Sequence, residues 1–530
     1  MEHEPTPEQK KIIEETSNCV VIAKPGSGKT FTIAFKIRSI LVDLPHYKGV
    51  AAISFTNKAS DELEHRSLPR GVDRKNSFFG TIDRYFISEI IIPFGDRVFG
   101  SSNREIGVVK FTDIDPSEYP EYNPKIADVE NSSFYRKLFQ DGKIILEKVG
   151  FLALFIFTNS PACRRYLKAR YTHIIIDEYQ DCDEWQHKLF IELVNLGLIG
   201  IAVGDLDQSI FAFANKSSDF LASLARENGN FQTYVLTINH RCHLSIVNYS
   251  TKIIAENYLP QPVDEVRVLY KCIHGSEIEI AQWLTQSIPI LANRYGLEKL
   301  NKVGVLFKNR QTGMEIHNNI GLPHKPIITT PLDDDSSLWG SVFRKVLIWA
   351  FNTEQTKYEF IEQYLNINFQ EKTVLKIMGI LRNLEDSISS EEPLINNSNK
   401  FEQIAQIIFP NAHNALALAN LRTVLDNREL LASFLPPADN QIQLLTLHKA
   451  KGLEFDIVFH LNLYQWILPQ YKGDYSQDLN LHYVGITRAK KCCVLITSTH
   501  RQSNGQIITA NPSEFLFLND VEQLRLQVDI

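Results

Sequence analysis

No stretch of this chain narrows its fold as sharply as Val20-Val21-Ile22-Ala23-Lys24-Pro25-Gly26-Ser27-Gly28-Lys29-Thr30. The apolar run from Cys19 to Ile22 reads as a buried strand. A glycine-containing loop follows, and Lys29-Thr30 opens an apolar-periodic segment to Leu41 that reads as a helix. Strand, glycine loop, Lys-Thr and helix in that order form a phosphate-binding loop. Backbone N–H groups at a helix N-terminus point at phosphate oxygens, and the helix dipole favours their charge. Lys29 can reach the β and γ phosphates, and the Thr30 hydroxyl suits Mg²⁺. The expected nucleotide-binding set is therefore Ala23, Lys24, Pro25, Gly26, Ser27, Gly28, Lys29 and Thr30. The fit to G-x-x-x-x-G-K-[ST] departs only at Ala23, where a glycine is usual. A chance Gly-Lys-Thr in an ordinary strand-turn-helix would look the same, so a second motif has to decide.

That motif is Tyr171-Thr172-His173-Ile174-Ile175-Ile176-Asp177-Glu178-Tyr179-Gln180-Asp181, a β-branched strand ending in adjacent acids. Nucleoside triphosphate hydrolysis needs both. Asp177 would hold Mg²⁺ through its waters, and Glu178 would orient and deprotonate the attacking water. In open α/β sheets ligands gather at the carboxyl ends of strands, which draws attention to other strand ends. Gly49 to Ser54 leads into Phe55, Thr56 and Asn57, where an aromatic ring could stack a base or belong to the core, with a helix expected from Ala59 to Arg66. Ile199 to Val203 leads to Gln208, placed to sense a γ-phosphate, and to Phe211 and Phe213. Val235 to Arg241 reads as a strand ending in an arginine. In the first helix Thr6 suits the N-cap and Pro7 the first turn. Gln9 is either a capping residue or an amide that reads the adenine edge.

Between these strands, residues 87–157 carry no motif and read as an insertion. A second α/β pattern starts near Val303 and resumes at Ile442, with strands from Asp456 to Leu463 and from Cys492 to Ser498. Residues 336–436 between them read as largely helical, with an exposed polar loop from Glu385 to Lys400. Leu481 to Lys491 reads as a helix carrying Arg488. That residue is either a basic helix C-terminus or an arginine finger for the transferring phosphoryl group. At 530 residues the chain must contain several domains. Its net charge of −7 gives no bulk basic signature, so any nucleic-acid site must be a local groove. The seven cysteines form no C-x-x-C pair and read as reduced thiols. A polar N-terminus and the lack of a long apolar run point to a cytoplasmic protein without a membrane span.

Taken together, Ala23–Thr30, Ser54–Lys58, Gly80–Phe86, Ile174–Asp181, Gly204–Phe213, Asn239–Arg241, Thr446–Phe455 and Tyr483–Lys490 resemble, in order, the motifs of superfamily 1 DNA helicases of the UvrD/Rep/PcrA type. The resemblance implies an α/β fold of two RecA-like domains with parallel sheets, each carrying a mostly helical insertion. Residues 1–86 and 158–240 would form the first domain and 87–157 its insertion. Residues 241–335 and 437–530 would form the second, with 336–436 as a reduced insertion. It implies ATP and Mg²⁺ in the cleft between the domains and single-stranded or partly duplex DNA across the top, with 3′ to 5′ movement. Gln9 would read adenine and His240 stack on it. Gln208, Arg241 and Arg488 would contact the γ-phosphate and Glu454 the ribose. Phe55, Thr56, Asn57, Thr81, Phe213 and His448 would line the DNA path. His240 replaces the family's tyrosine, Phe213-Ala214 its Trp-Arg and Asp83 its histidine; these departures weaken the expected grip on DNA. The compact size resembles the helicase-like component of Gabija-type anti-phage systems, which implies a nuclease partner in a hetero-oligomer. The alternative is a nucleotide- or DNA-sensing regulatory subunit with weak unwinding or none.

Overall fold

The computed structural model describes the chain apart from residues 1–3, 70, 103–105, 110, 112–113, 124–126, 206–218, 227–229, 326–329, 334, 336, 352–355, 366–370, 390–392, 411–412, 504 and 529–530. Strands β1 (Cys19–Ala23), β2 (Gly49–Ser54) and β3 (Phe78–Thr81) come first. A small parallel pair, β4 (Gly107–Val109) and β5 (Lys143–Ile145), lies in the helical segment that follows. Then come β6 (Tyr171–Ile176), β7 (Ile199–Gly204) and β8 (Gln232–Leu236). These build a six-stranded parallel sheet in the order β3-β2-β6-β7-β1-β8. Parallel strands covered on both faces read as near-continuous apolar runs, which is why these segments were legible. Side chains alternate between faces: Val21, Val50, Ile175 and Val203 enter one apolar cluster and Val20, Ala51, Ile174 and Ala202 the other.

The second sheet comprises β9 (Val268–Ile273), β10 (Val303–Phe307), β11 (His324–Lys325), β12 (Ile442–Thr446), β13 (Phe455–His460), β14 (Ala489–Ser498) and β17 (Leu526–Gln527). It is parallel, in the order β11-β12-β10-β13-β14-β9-β17. A hairpin of β15 (His500–Ser503) and β16 (Gln506–Thr509) precedes its last strand. The architecture is thus α/β with two parallel sheets, each interrupted by helices. Among the described residues no helix is long and apolar enough to cross a membrane.

Several local expectations shift. The strand expected over Val235–Arg241 is Gln232–Leu236, and Asn239 to Arg241 lie in the loop beyond it. Tertiary pairing with β1 sets this register, Cys19 opposite Gln232 to Ala23 opposite Leu236, although Val235 is half exposed. The polar stretch 385–400 is mostly not a loop. One helix runs through it to Ser389, and another starts at Ser398. Leu384, Leu394 and Phe401 bury apolar contacts that outweigh its polar composition. The helix around Arg488 spans Tyr475–Thr487, and Arg488 is its C-cap, immediately before β14.

The helical segments between the strands do not each keep to one sheet. A single apolar cluster joins one face of the first sheet, the segment from Ile82 to Leu167, and the helices from Leu338 to Leu425. Lys345, on the helix Leu338–Phe351, pairs with Asp61 at 2.9 Å and lies 3.7 Å from Glu64, both on the helix Asn57–Ser67 that follows β2.

Candidate nucleotide-binding cleft

The phosphate loop sits between β1 and the helix Lys29–Asp43. Gly28 is that helix's N-cap in the left-handed region, with no side-chain cap, so the first-turn N–H groups are left for a ligand. Gly26 and Gly28 have φ of +73° and +83°. A β-carbon on Gly26 would stand 2.6 Å from the Asn239 Oδ1 atom and 2.7 Å from the Arg241 β-carbon. The loop after β8 clamps it. The Asn239 side-chain amide donates to the Pro25 carbonyl at 2.9 Å, and its Oδ1 accepts from the Arg241 and Cys242 N–H groups. The His240 N–H donates to the Gly26 carbonyl at 2.8 Å. Gly26→Ala combines left-handed strain of about 1–2 kcal/mol with this steric conflict. Its nucleotide affinity is expected to fall about tenfold or more in a fluorescent-nucleotide titration.

Gln9 is a capping residue that also touches the phosphate loop. With Thr6 it completes a capping box, while its Nε2 donates to the Ser27 carbonyl at 3.2 Å. The amide thus braces the loop from outside.

β6 delivers the carboxylates. Asp177 is 3% exposed, and its N–H continues the ladder to the Ile53 carbonyl. Glu178 follows with φ of +60°, an uncommon conformation for a non-glycine residue, held at the cleft by its surroundings. The Lys29 ammonium donates to Glu178 Oε1 at 3.1 Å. The buried Gln180 donates to Glu178 Oε2, and its own oxygen accepts from the Asp205 N–H at 3.0 Å. Burial favours protonation of Glu178, but Lys29 and Lys451 outweigh it and hold the carboxyl well below its usual range. Burial and the neighbouring Glu178 charge raise Asp177 instead. Burial also opposes the Lys29 ammonium, yet Glu178, Asp177 and Asp205 keep it charged.

The second sheet supplies the opposite wall. A cavity of about 440 Å³ is lined by Lys29, Thr30, Asp177 and Glu178 on one side and Glu454 and Arg488 on the other, with His240 and Arg241 at the junction. Arg488 is 3% exposed. Its guanidinium donates to the Val484 and Leu453 carbonyls at 3.2 and 3.4 Å. Burial and the nearby Arg241 lower its pKa to about 10, which leaves it cationic at neutral pH. Glu454 pairs with Arg241 at 2.6 Å and Lys490 at 2.8 Å. Lys451 bridges the walls: it pairs with the fully buried Asp181 and lies 3.9 Å from Glu178. Removing one partner of a buried pair strands the other charge, at a cost of about 3–5 kcal/mol. Lys451→Ala is expected to lower the apparent melting temperature by several degrees in the absence of nucleotide, read by calorimetry.

The donor set fits Mg²⁺. Thr30 and Asp177 offer hard oxygen ligands on one wall, and Asp177 is buried without a salt-bridge partner among the described residues.

The residues expected along DNA are placed less tellingly. Phe55 is half-buried and packs against the large apolar cluster. Thr56 and Thr81 cap helices, their hydroxyls accepting from Ala59 N–H at 3.1 Å and Arg84 N–H at 3.3 Å. Asn57 opens the helix that Thr56 caps. His448 is exposed in the turn after β12. Gln208, Phe211 and Phe213 lie outside the described residues. Sequence reasoning gave no role to Asn239, Gln180 or Lys451. Asn239 precedes His240, Gln180 lies two residues after Glu178 and Lys451 three before Glu454, and that nearness is the signal that could have found them.

Comparison with known proteins agrees with this geometry. A family model described as AAA domain matches residues 9–214, and one described as UvrD-like helicase C-terminal domain matches residues 343–501. The chain is 28% identical to the Gabija protein GajB of Bacillus cereus (strain VD045), over 94% of this chain and 96% of that protein. It is 23% identical to the ATP-dependent DNA helicase UvrD1 of Mycobacterium leprae (strain TN), over 96% and 84% of the two chains. It is also 23% identical to the ATP-dependent DNA helicase Rep of Buchnera aphidicola subsp. Baizongia pistaciae (strain Bp), over 96% and 93%.

Proposed function

We propose, from the premise that this chain is a UvrD-like helicase with a helicase-type ATPase cleft, that it is a DNA-stimulated ATPase moving 3′ to 5′ along single-stranded DNA. The carrying observation is one crevice that gathers Lys29 and Glu178 from the first domain with Arg488 from the second. Lys29 and the loop N–H groups hold the β and γ phosphates. Phosphate competes for Lys29, and Glu178, freed of that partner, regains the basicity to take a proton from water. Arg241 and Arg488 face the charge that develops on the phosphoryl oxygens. Thr30 and Asp177 would hold Mg²⁺, which would supply positive charge against the phosphates when bound. Because the walls belong to different sheets, grip and release of the triphosphate change the distance between them, and that stroke moves the strand.

The likeness to a Gabija protein supports a role in anti-phage defence, in the cytoplasm, within a hetero-oligomer containing a nuclease. ATP turnover of the purified chain is expected to rise on adding single-stranded DNA. An unchanged rate would remove the translocase reading, and failure to co-purify with a co-expressed nuclease neighbour would remove the assembly reading.

A second reading, a nucleotide- or DNA-sensing regulatory subunit, is favoured by the engagement of Phe55, Thr56 and Thr81 within the first domain. It predicts DNA-stimulated ATP turnover without strand separation, whereas a working helicase releases the labelled strand of a 3′-tailed duplex.

A further inference from the structure

A second cavity, of about 630 Å³, lies away from the nucleotide cleft, where the edge strand β3 meets the second insertion. Three guanidiniums converge on it: Arg74, Arg84 and Arg170. Two have carboxylate partners, Arg74 with Glu64 at 3.3 Å and Arg170 with Glu89 at 2.7 Å. Arg84 is 8% exposed and has no salt-bridge partner among the described residues, and its Nε has no hydrogen-bond partner. Its guanidinium sits among ring faces, 5.1 Å from the centre of Tyr364 and 5.9 Å from those of Phe78 and Phe409. Ring faces offset only part of the cost of burying a charge. The hydroxyls of Tyr364 and Ser88, which also line the cavity, are buried and lack hydrogen-bond partners among the described residues.

One buried cation without a carboxylate partner and two hydroxyls without hydrogen-bond partners among the described residues, all on residues that line the same space, call for an anion with several acceptor oxygens. We propose that this cavity is a binding site for a phosphate-bearing small molecule, an oligophosphate or a free nucleotide, distinct from the ATP cleft. A phosphoryl group offers three strong acceptors, which matches clustered guanidiniums better than a single carboxylate does. The volume leaves room for more than one phosphoryl group. Burial lowers the Arg74 pKa against the pull of Glu64, and the positive neighbours Arg84 and Arg170 add to the effect, consistent with surplus positive charge.

The site would also communicate. The helix Asn57–Ser67 separates the two cavities: Ala59, Glu62 and Arg66 line the nucleotide cleft, while Glu64 on another face holds Arg74. An anion bound there braces that helix and the insertion that Lys345 ties to it.

The test uses the full chain carrying Lys29→Ala, which removes the main phosphate grip, with tripolyphosphate and ATP as probes in calorimetric titrations. One saturable equivalent is expected. Arg84→Leu, which keeps the volume apolar, should weaken it about tenfold or more. Tyr364→Phe removes only a hydroxyl, leaves the packing intact and should weaken binding severalfold. Hydrogen exchange in the helix Asn57–Ser67 should slow when the probe is bound. Equal affinity for the two probes assigns recognition to phosphate alone, and tighter ATP binding assigns a nucleotide. No binding to the Lys29→Ala chain, or binding unaltered by both Arg84→Leu and Tyr364→Phe, overturns the proposal. The outcome does not depend on the translocase reading.

Discussion

Glu178→Gln is expected to lower ATP turnover by about 10²–10⁴-fold, the usual contribution of a positioned general base, while ATP still binds. The amide keeps the size of the side chain and can still accept from Gln180, so the cleft is preserved. It cannot take a proton. It also releases Lys29 from the contact at 3.1 Å, so nucleotide affinity should hold or rise. This opposite movement of binding and turnover separates loss of a base from loss of fold. Single-turnover hydrolysis with a fluorescent-nucleotide titration reads both, and unchanged turnover would remove Glu178 from the chemistry.

Arg488→Lys is expected to cost about 10³–10⁵-fold in kcat, the range for an arginine finger, with little change in KM. Lysine keeps the charge but not the planar fork that meets two phosphoryl oxygens at once. It also leaves the Val484 and Leu453 carbonyls with fewer donors than the guanidinium now supplies. The lysine variant is preferable to alanine because it fills the buried space. Circular dichroism checks the fold, and stopped-flow mixing with ATP separates binding from the chemical step. A variant that hydrolyses at the parent rate would leave Arg488 a helix cap only.

The parts of this site that were legible share one property: the chemistry sits within a few residues of an apolar strand end. Lys29 and Glu178 could be read because β1 and β6 are buried on both faces and so stand out as apolar runs. The register of β8 was not legible, because Val235 and Ile238 are about half exposed and no periodicity marks where pairing with β1 ends. Arg488 was legible as the basic end of a helix, but the reading ran that helix on to Lys491 because Ala489-Lys490-Lys491 suits a helix as well as a strand. Its position as the C-cap depends on β14 starting at once. Asn239 and Lys451 were given no role for another reason: their partners, Pro25 and Asp181, are far away in sequence. The helices on either side of residues 385–400 were legible, but the stretch itself was read as a loop because its polar Asn and Ser residues hide how far the helix ending at Ser389 and the one starting at Ser398 reach into it.

The shared apolar cluster constrains how the machine can open. The helices from Leu338 to Leu425, which lie between strands of the second sheet in the chain, pack against the first sheet, so the second sheet is tethered to the first through them as well as through the loop beyond β8. Each tether shortens the travel left to the part it holds, so any parting of Lys29 from Arg488 should be a short excursion and not a wide swing.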